Sequence, residues 1–324
     1  MVKTCVIIPS WNGIDYISDC LTSLLKQSAK IDIIVVENGS KDGSPELIKK
    51  KFPSVELLEF KDNAGFSGGV NRGIKPALEK GYEYIILFNN DAVADKDWVK
   101  NLVSAAVNKT DAGIVTGKFM RMDKKHLDST GEFYSTHAMP FPRGRNRVDT
   151  DQYKKGEYVF AGTGGASLYK AALFKEIGIF DEDFFAYFED IDIAFRAQLA
   201  GWKVWYEPSA VAYHHVSATS SKLSGFSRYH SVKNCILTYN KNMPGIYFWR
   251  YKLWFFARLA RMFFGALRDK QLGAYFKGFL MGVRLMPSTL RKRSAIQKSR
   301  KVSPTYLNSI LYKGAPPKIP KYKA

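Results

Sequence analysis

Four times before Asp91, a short apolar run gives way to a polar loop and then to a helical pattern, and that rhythm admits few folds. Residues 4–8 form the first run, closed by Pro9, Ser10, Trp11, Asn12 and Gly13. A helix begins at Asp15 with Ile17, Leu21, Leu24 and Leu25 on its inner side. Residues 31–36 form the second run, ending in a polar turn from Glu37 to Ser44, after which Pro45 suits a first helical position. Residues 55–60 are the third, followed by a glycine-rich entry, 63–73, to a helix ending near Gly81. The fourth, 84–91, carries Ile85, Ile86, Leu87 and Phe88 without a break, the mark of a strand buried on both faces. Short connections of this kind predict a doubly wound, mostly parallel α/β sheet. The polar loops all follow strands, so Trp11 and Asn12, residues 37–42 and residues 89–91 are expected at one sheet edge, where such sheets bind ligands.

No G-x-G-x-x-G follows the first strand, and Gly65, Gly68 and Gly69 come after the third with another spacing, which argues against a nicotinamide or flavin site. A P-loop is absent. Asp91, ending its strand beside the neutral Asn89 and Asn90, either holds a hard cation or is a solvated acid. Beyond a helix at 97–107 and a strand at 113–120, residues 121–157 are polar, aromatic and irregular, an acceptor lid or a surface excursion. Residues 158–169 read as two strands around a glycine corner, where Gly164 and Gly165 permit a close backbone approach or form a bulge. An aromatic run, 184–188, leads into Glu189 and Asp190 at the start of a helix ending at Ala200. Ile191, Phe195 and Leu199 give its buried stripe, with Asp192 and Arg196 as an i, i+4 pair outside it. Two readings stand for Glu189 and Asp190: acids favoured by the helix dipole, or carboxylates on an apolar wall with the raised pKa of a general base. Residues 203–206 and 211–213 read as separate strands around a turn at Glu207 and Pro208. The second ends in His214, a structural histidine or a cation ligand.

In this order and spacing, the set resembles the family-2 inverting glycosyltransferases of GT-A fold, particularly the bacterial rhamnosyltransferase-like branch, over about residues 3–220. The resemblance rests on residues 9–13, 37–44, 63–66 with Asn71, 89–91, Gly164 with Gly165, 189–192 with Arg196, and Pro208 followed by His214. It implies a GT-A catalytic domain at 1–220, with a nucleotide-sugar half at 1–115 and an acceptor half at 116–220. Pro9, Trp11, Asn12, Glu37, Asn38, Asp42, Asn63, Gly65, Asn71, Asn89 and Asn90 would then hold the donor. Asp91 would coordinate Mg2+ or Mn2+ on the donor diphosphate, with His214 as second contact. Asp190 would be the general base, and Glu189 would orient it or the acceptor. Gly164, Gly165 and Phe188 would border the sugars. Two departures stand out: Glu37 occupies a position where the family usually has Asp, and the family's Asp-x-Asp is here Asn89, Asn90, Asp91. The implied reaction moves a sugar, with dTDP-rhamnose a candidate donor, to a glycan or lipid-linked glycan in polysaccharide biosynthesis. A nucleotidyltransferase on a similar sheet and a silent glycan- or membrane-binding scaffold are the alternatives.

Charge separates the chain into two parts. The net +19 resides in residues 221–324, where 22 Lys and Arg face one acid, Asp269; the first 220 residues hold 27 bases and 29 acids. Residues 246–267 are rich in aromatics, and on one helix Arg250, Arg258, Arg261 and Arg268 would share an arc of about 80°, opposite Phe248, Phe255, Leu259 and Phe263. A second apolar helix spans 272–286, and a basic cluster follows. The pattern is that of interfacial helices attaching the protein peripherally to an anionic membrane surface. Packing on the catalytic domain or on a second copy of the chain is the alternative. Bases interleaved with bulky aliphatics argue against nucleic acid. Three scattered cysteines and an opening strand without a secretory pattern predict a cytoplasmic protein on the inner face of the cell membrane.

Overall fold

The computed structural model describes residues 2–216 and 224–322; the expected domain boundary at residue 220 lies outside the described residues. The first half follows the predicted rhythm: β1 (Thr4–Ser10), α1 (Ile17–Leu25), β2 (Asp32–Asn38), α2 (Ser44–Lys51), β3 (Glu56–Phe60), α3 (Gly65–Glu79) and β4 (Tyr84–Phe88). These strands pair in parallel in the order β3-β2-β1-β4. Alternate residues of each strand enter opposite cores, as a pleat requires. Val6, Ile8, Ile86 and Phe88 meet α1 on one face, while Cys5, Ile7, Ile85 and Leu87 meet α3 on the other. Leu25 departs from expectation. It is half exposed, because Ile17, Cys20, Leu21 and Leu24 already fill the inner stripe.

The chain continues through β5 (Ala92–Ala94), α4 (Trp98–Asn108), β6 (Ala112–Arg121), β7 (Leu127–Ser129), β8 (Glu132–Tyr134), β9 (Pro140–Pro142), β10 (Glu157–Val159), β11 (Ala166–Lys170), α5 (Ala171–Ile177), a 3-10 turn at Glu182–Phe184, α6 (Glu189–Leu199) and β12 (Lys203–His214). β11 pairs antiparallel between β4 and β6, and β12 runs parallel to β6, so the sheet becomes mixed. The segment 121–157 is neither a loose lid nor an excursion: β7 adds to β6, β8 and β9 form a ribbon, and Leu127, Tyr134 and Phe141 are buried. Residues 203–214 are one strand rather than two, since the Glu207–Pro208 step is absorbed as a register shift against β6. Asp192 and Arg196 are likewise buried rather than outside the stripe, because a further helix covers that side of α6.

That helix is α7 (Phe226–Asn242), followed by α8 (Gly245–Arg250), α9 (Lys252–Arg268), α10 (Leu272–Arg284), α11 (Met286–Lys298) and α12 (Pro304–Ile310). Val232, Cys235, Ile236 and Tyr239 of α7 share a core with Ile191, Ala194, Phe195 and Leu199 of α6. The C-terminal helices therefore pack on the sheet-bearing body, and α9 and α10 lie over α7. The single helix expected at 246–267 is broken at Tyr251 into α8 and α9, and the second ends at Arg284 rather than 286. The apolar face expected to enter a membrane, with Phe255 and Leu259, is turned inward against α7. Outward from the same helices stand Leu253, Trp254, Phe256, Phe264, Leu267, Phe276, Leu280 and Val283. No helix among the described residues is long and apolar enough to cross a membrane.

Candidate active site

Asp91 follows β4 after Asn89 and Asn90, and β5 turns back to pair with β12 so that Ala92 lies opposite His214. That ladder places Asp91 and His214 together although 123 positions separate them. The Nε2 of His214 is 3.1 Å from Asp91 Oδ1, and its Nδ1 is 2.9 Å from Asp128 Oδ2. Its ring stacks on Phe119 with centroids 4.6 Å apart. Burial favours the neutral imidazole, but the bonds and charges of Asp128 and Asp91 outweigh it and push the His214 pKa up to about 9. Burial also opposes ionisation of Asp91 and Asp128, and contact with His214 more than reverses it, leaving both carboxyls below the usual range. One carboxylate and one imidazole are a fitting but incomplete donor set for a divalent cation. Among the described residues no cluster of three or more metal-ligating side chains exists, so oxygens of a bound diphosphate would have to complete the shell.

Asp190 lies in the first turn of α6. Its Oδ2 accepts from the Gly164 N–H at 3.3 Å and its Oδ1 from the Ile191 N–H at 2.7 Å. Burial raises its pKa against those bonds, and raises Glu189 further with help from the Asp190 charge. Glu189 Oε2 is buried without a hydrogen-bond partner among the described residues. Glu132, on β8, completes an acid cluster: burial and then the Asp190 charge push it up to about 8, while Ser129 Oγ donates to it at 2.8 Å.

Asp91, His214, Glu189 and Asp190 line one cavity of about 370 Å3, with Asp128 and Glu132 behind its wall. Its lining comes from the strand-end loops, with Pro9, Trp11, Asn38, Asn63, Gly65 and Phe66, from Asn89, Asn90, Asp91 and His214, and from Gly164, Gly165, Ala186, Tyr187, Glu189 and Asp190. Gly165 is required by packing, since a Cβ there would sit 2.5 Å from the Asn89 amide. Asn12, Glu37 and Asp42 do not line the cavity but join its walls. Asn12 Oδ1 accepts from Lys41 N–H at 2.9 Å, Glu37 Oε1 from Ser40 N–H at 2.9 Å, and Asp42 Oδ2 from Ile14 N–H at 2.8 Å. Two expected contacts lie elsewhere. Asn71 is buried and spent on Phe180 and Glu182, bracing α3 against the turn before α6. Phe188 caps α6 with φ of 69° and packs toward α7 rather than into the cavity.

Sequence reasoning missed Asp128, Glu132, Arg145, Thr163, Tyr187 and Phe226. The last four line the cavity; Asp128 fixes the His214 ring and pairs with Arg145 at 3.3 Å. A lone acid in an irregular stretch gives no periodic signal. Only the pairing of β7 with β6 brings it to the site.

The description Glycosyl transferase family 2 matches residues 5–178, more than half of the chain. Among curated proteins, the N-acetylglucosaminyl-diphospho-decaprenol L-rhamnosyltransferase of Mycobacterium tuberculosis is 27% identical over 215 residues, 59% of this chain and 69% of that one. A poly-beta-1,6-N-acetyl-D-glucosamine synthase of Staphylococcus aureus is 25% identical over 227 residues, 66% of this chain, which spans only 50% of that protein. Among solved structures, a mannosyltransferase from Pyrobaculum calidifontis in complex with GDP-Man and Mn2+ superposes with a TM-score of 0.52 at 16% identity, covering 95% of this chain and 78% of that one. The fold is thus that of the GT-A glycosyltransferases. With its strand-end loops, cavity and match over 5–178, the chain belongs to glycosyl transferase family 2.

Proposed function

We propose that this glycosyltransferase inverts the anomeric centre of a nucleotide-diphosphate sugar, with dTDP-rhamnose the first candidate, in transferring it to a hydroxyl of a lipid-linked glycan. The observation that carries this reading is the common cavity of Asp190, Asp91 and His214. Asp190 takes the proton of the acceptor hydroxyl as its oxygen attacks C1 of the donor sugar and the C1–diphosphate bond breaks. A single displacement of this kind needs no covalent carboxylate. Glu189 orients the acceptor, and Gly164 and Gly165 let both sugars approach the backbone. Asn38, Asn63, Asn89 and Asn90 face the donor, held in place by the braces at Asn12, Glu37 and Asp42. Asp91 and His214 would hold Mg2+ or Mn2+, which supplies charge neutralisation for the departing diphosphate. Because the protein offers only two ligands, Mn2+ titrated in electron paramagnetic resonance is expected to bind tightly only with nucleoside diphosphate present. Equally tight binding to the free protein would refute this two-ligand site. Incubation with a panel of nucleotide sugars and a polyprenyl-diphosphate GlcNAc acceptor, read by product mass and anomeric configuration, tests the reaction. Product of retained configuration, or none from any donor, would sink it.

The lipid-linked acceptor is supported by the activity for which the mycobacterial relative is named and by the outer face of α9 and α10. On these helices Phe256, Phe264 and Leu280 stand exposed, as do Arg261, Arg268, Lys277 and Arg284, the mixture of apolar and cationic side chains that suits insertion with headgroup contacts. Phe226, at the start of α7, lines the cavity, and α10 packs on α7, so α7 links the cavity wall to the helices that carry these exposed side chains. The protein is expected to float with anionic vesicles, less so at high salt, and to be released by Phe256→Glu with Phe264→Glu. Failure to float together with a stable dimer would instead assign the face to a second copy of the chain.

A further inference from the structure

The segment between the 3-10 turn and α6 holds three non-glycine residues in the left-handed region: Phe185, Tyr187 and Phe188, at φ of 63°, 68° and 69°. Such conformations persist only where the surroundings fix them, and they gather at functional sites. Here Ala186 and Tyr187 form cavity wall, and Asp190 follows three residues after Tyr187. The fixing groups come from the C-terminal third. Asn234 Nδ2 lies 3.0, 2.8 and 2.6 Å from the carbonyl oxygens of Phe184, Ala186 and Tyr187, so its two hydrogens are shared among three acceptors. Lys233 Nζ donates to the carbonyls of Asp183 and Phe184. From the opposite side, Ser67 N–H donates to the Phe185 carbonyl at 3.1 Å, and Gly65 leaves room for it, since a Cβ there would stand 2.4 Å from that oxygen.

Two features set this arrangement apart from ordinary packing. Asn234 is fully buried, yet its Oδ1 has no hydrogen-bond partner among the described residues, so its acceptor goes unused while its amide hydrogens face the loop. Lys233 is also buried, with its ammonium on main-chain carbonyls rather than on a carboxylate, and burial lowers its pKa to about 8.

We propose that Asn234 and Lys233 are positioning residues for the transfer: by holding the carbonyls of Asp183, Phe184, Ala186 and Tyr187 they set the wall beside the acceptor and the placement of the Asp190 carboxylate. The C-terminal helices then complete the catalytic centre as well as carrying the outer face. This rests on the reading of Asp190 as general base.

Asn234→Leu, nearly isosteric and without donors, tests it in the full chain, with kcat, donor KM, melting temperature and the pH profile measured. A displaced base costs kcat, so about a hundredfold loss is expected with donor KM within a few-fold, since donor contacts come from other loops. The acidic limb of the profile should also move, which a merely less stable protein would not show. Asn234→Ser, keeping one donor, should recover part of the loss, and it serves as the test if Asn234→Leu does not fold. In the Asp190→Asn background the Asn234 substitution should add almost nothing. Folded Asn234 variants with wild-type kcat, while Asp190→Asn is inactive, overturn the positioning role alone. Full activity of Asp190→Asn overturns the base assignment, and the Asn234 role through it, whatever the Asn234 variants show.

Discussion

Asp190→Asn is expected to reduce turnover by about 10^2- to 10^4-fold, the usual contribution of a positioned base, with donor affinity nearly unchanged. The amide keeps the shape of the carboxylate but only one accepting oxygen, so it can retain the Ile191 N–H bond at 2.7 Å while the longer 3.3 Å bond from the Gly164 N–H is lost, and most of the expected loss is that of the proton acceptor. Because burial raises the Asp190 pKa, the wild-type kcat/KM should fall, as pH is lowered, at a higher pH than an ordinary aspartate would give. The ionised form is the active one, so activity is lost on the acid side. Steady-state assay of nucleoside diphosphate release across pH measures both effects. A variant that retains its rate and its acid limb would move the base elsewhere in the cluster, with Glu189 and Glu132 next in line.

What could be seen in the chain beforehand followed the range of the signals. The strand-end residues of β1, β2 and β4 could be placed because apolar run, polar loop and helix are local patterns, and the sheet edge gathers them whatever the details. Asp91 and Asp190 are legible for the same reason, each within three residues of the end of an apolar run. His214 ends a legible apolar pattern, but the pattern divides its strand in two at Pro208, since a bulge paired to β6 has no sequence marker. Asp128 was invisible because its function depends on one non-local strand pairing. Asn71 misled in the opposite way: a polar residue on a glycine-rich helix looks ligand-directed, yet it is consumed in holding the turn at Phe180. The largest displacement concerned the C-terminal helices. Helical periodicity gives two faces and does not say which neighbour covers either, so the face with Phe255 and Leu259 was turned outward when α7 in fact covers it.

Asp192→Asn is expected to destabilise the protein by about 3–5 kcal/mol, the cost of leaving buried charges without their partner. Its carboxylate is fully buried and accepts from Arg196 Nε at 2.9 Å, Lys241 Nζ at 2.9 Å and Asn242 Nδ2 at 2.8 Å. Lys241 also bridges to Asp181 at 2.6 Å, and Lys292 of α11 reaches the same Asp181 at 2.6 Å. The network thus ties α6 to α7 through charges withdrawn from solvent, and reaches α11 through the partly exposed Lys292. An asparagine presents an amide in place of the charge that Lys241 and Arg196 require. Burial opposes ionisation of Asp192 and Asp181, but the lysines and Arg196 more than compensate, so both pKa values lie below the ordinary range. Their stabilisation is therefore present above the unfolded value of about 3.9 and lost as pH falls through the lower folded values, because the unfolded chain then binds more protons. Denaturant melts should show the wild type weakening below about pH 4, and Asp192→Asn should be weaker at neutral pH with a shallower acid dependence. A single cooperative transition is expected, since the charges and the core around Phe195 join the same elements. Two separate melts, or an Asp192→Asn protein as stable as the wild type, would mean that the C-terminal helices only rest against the sheet-bearing body.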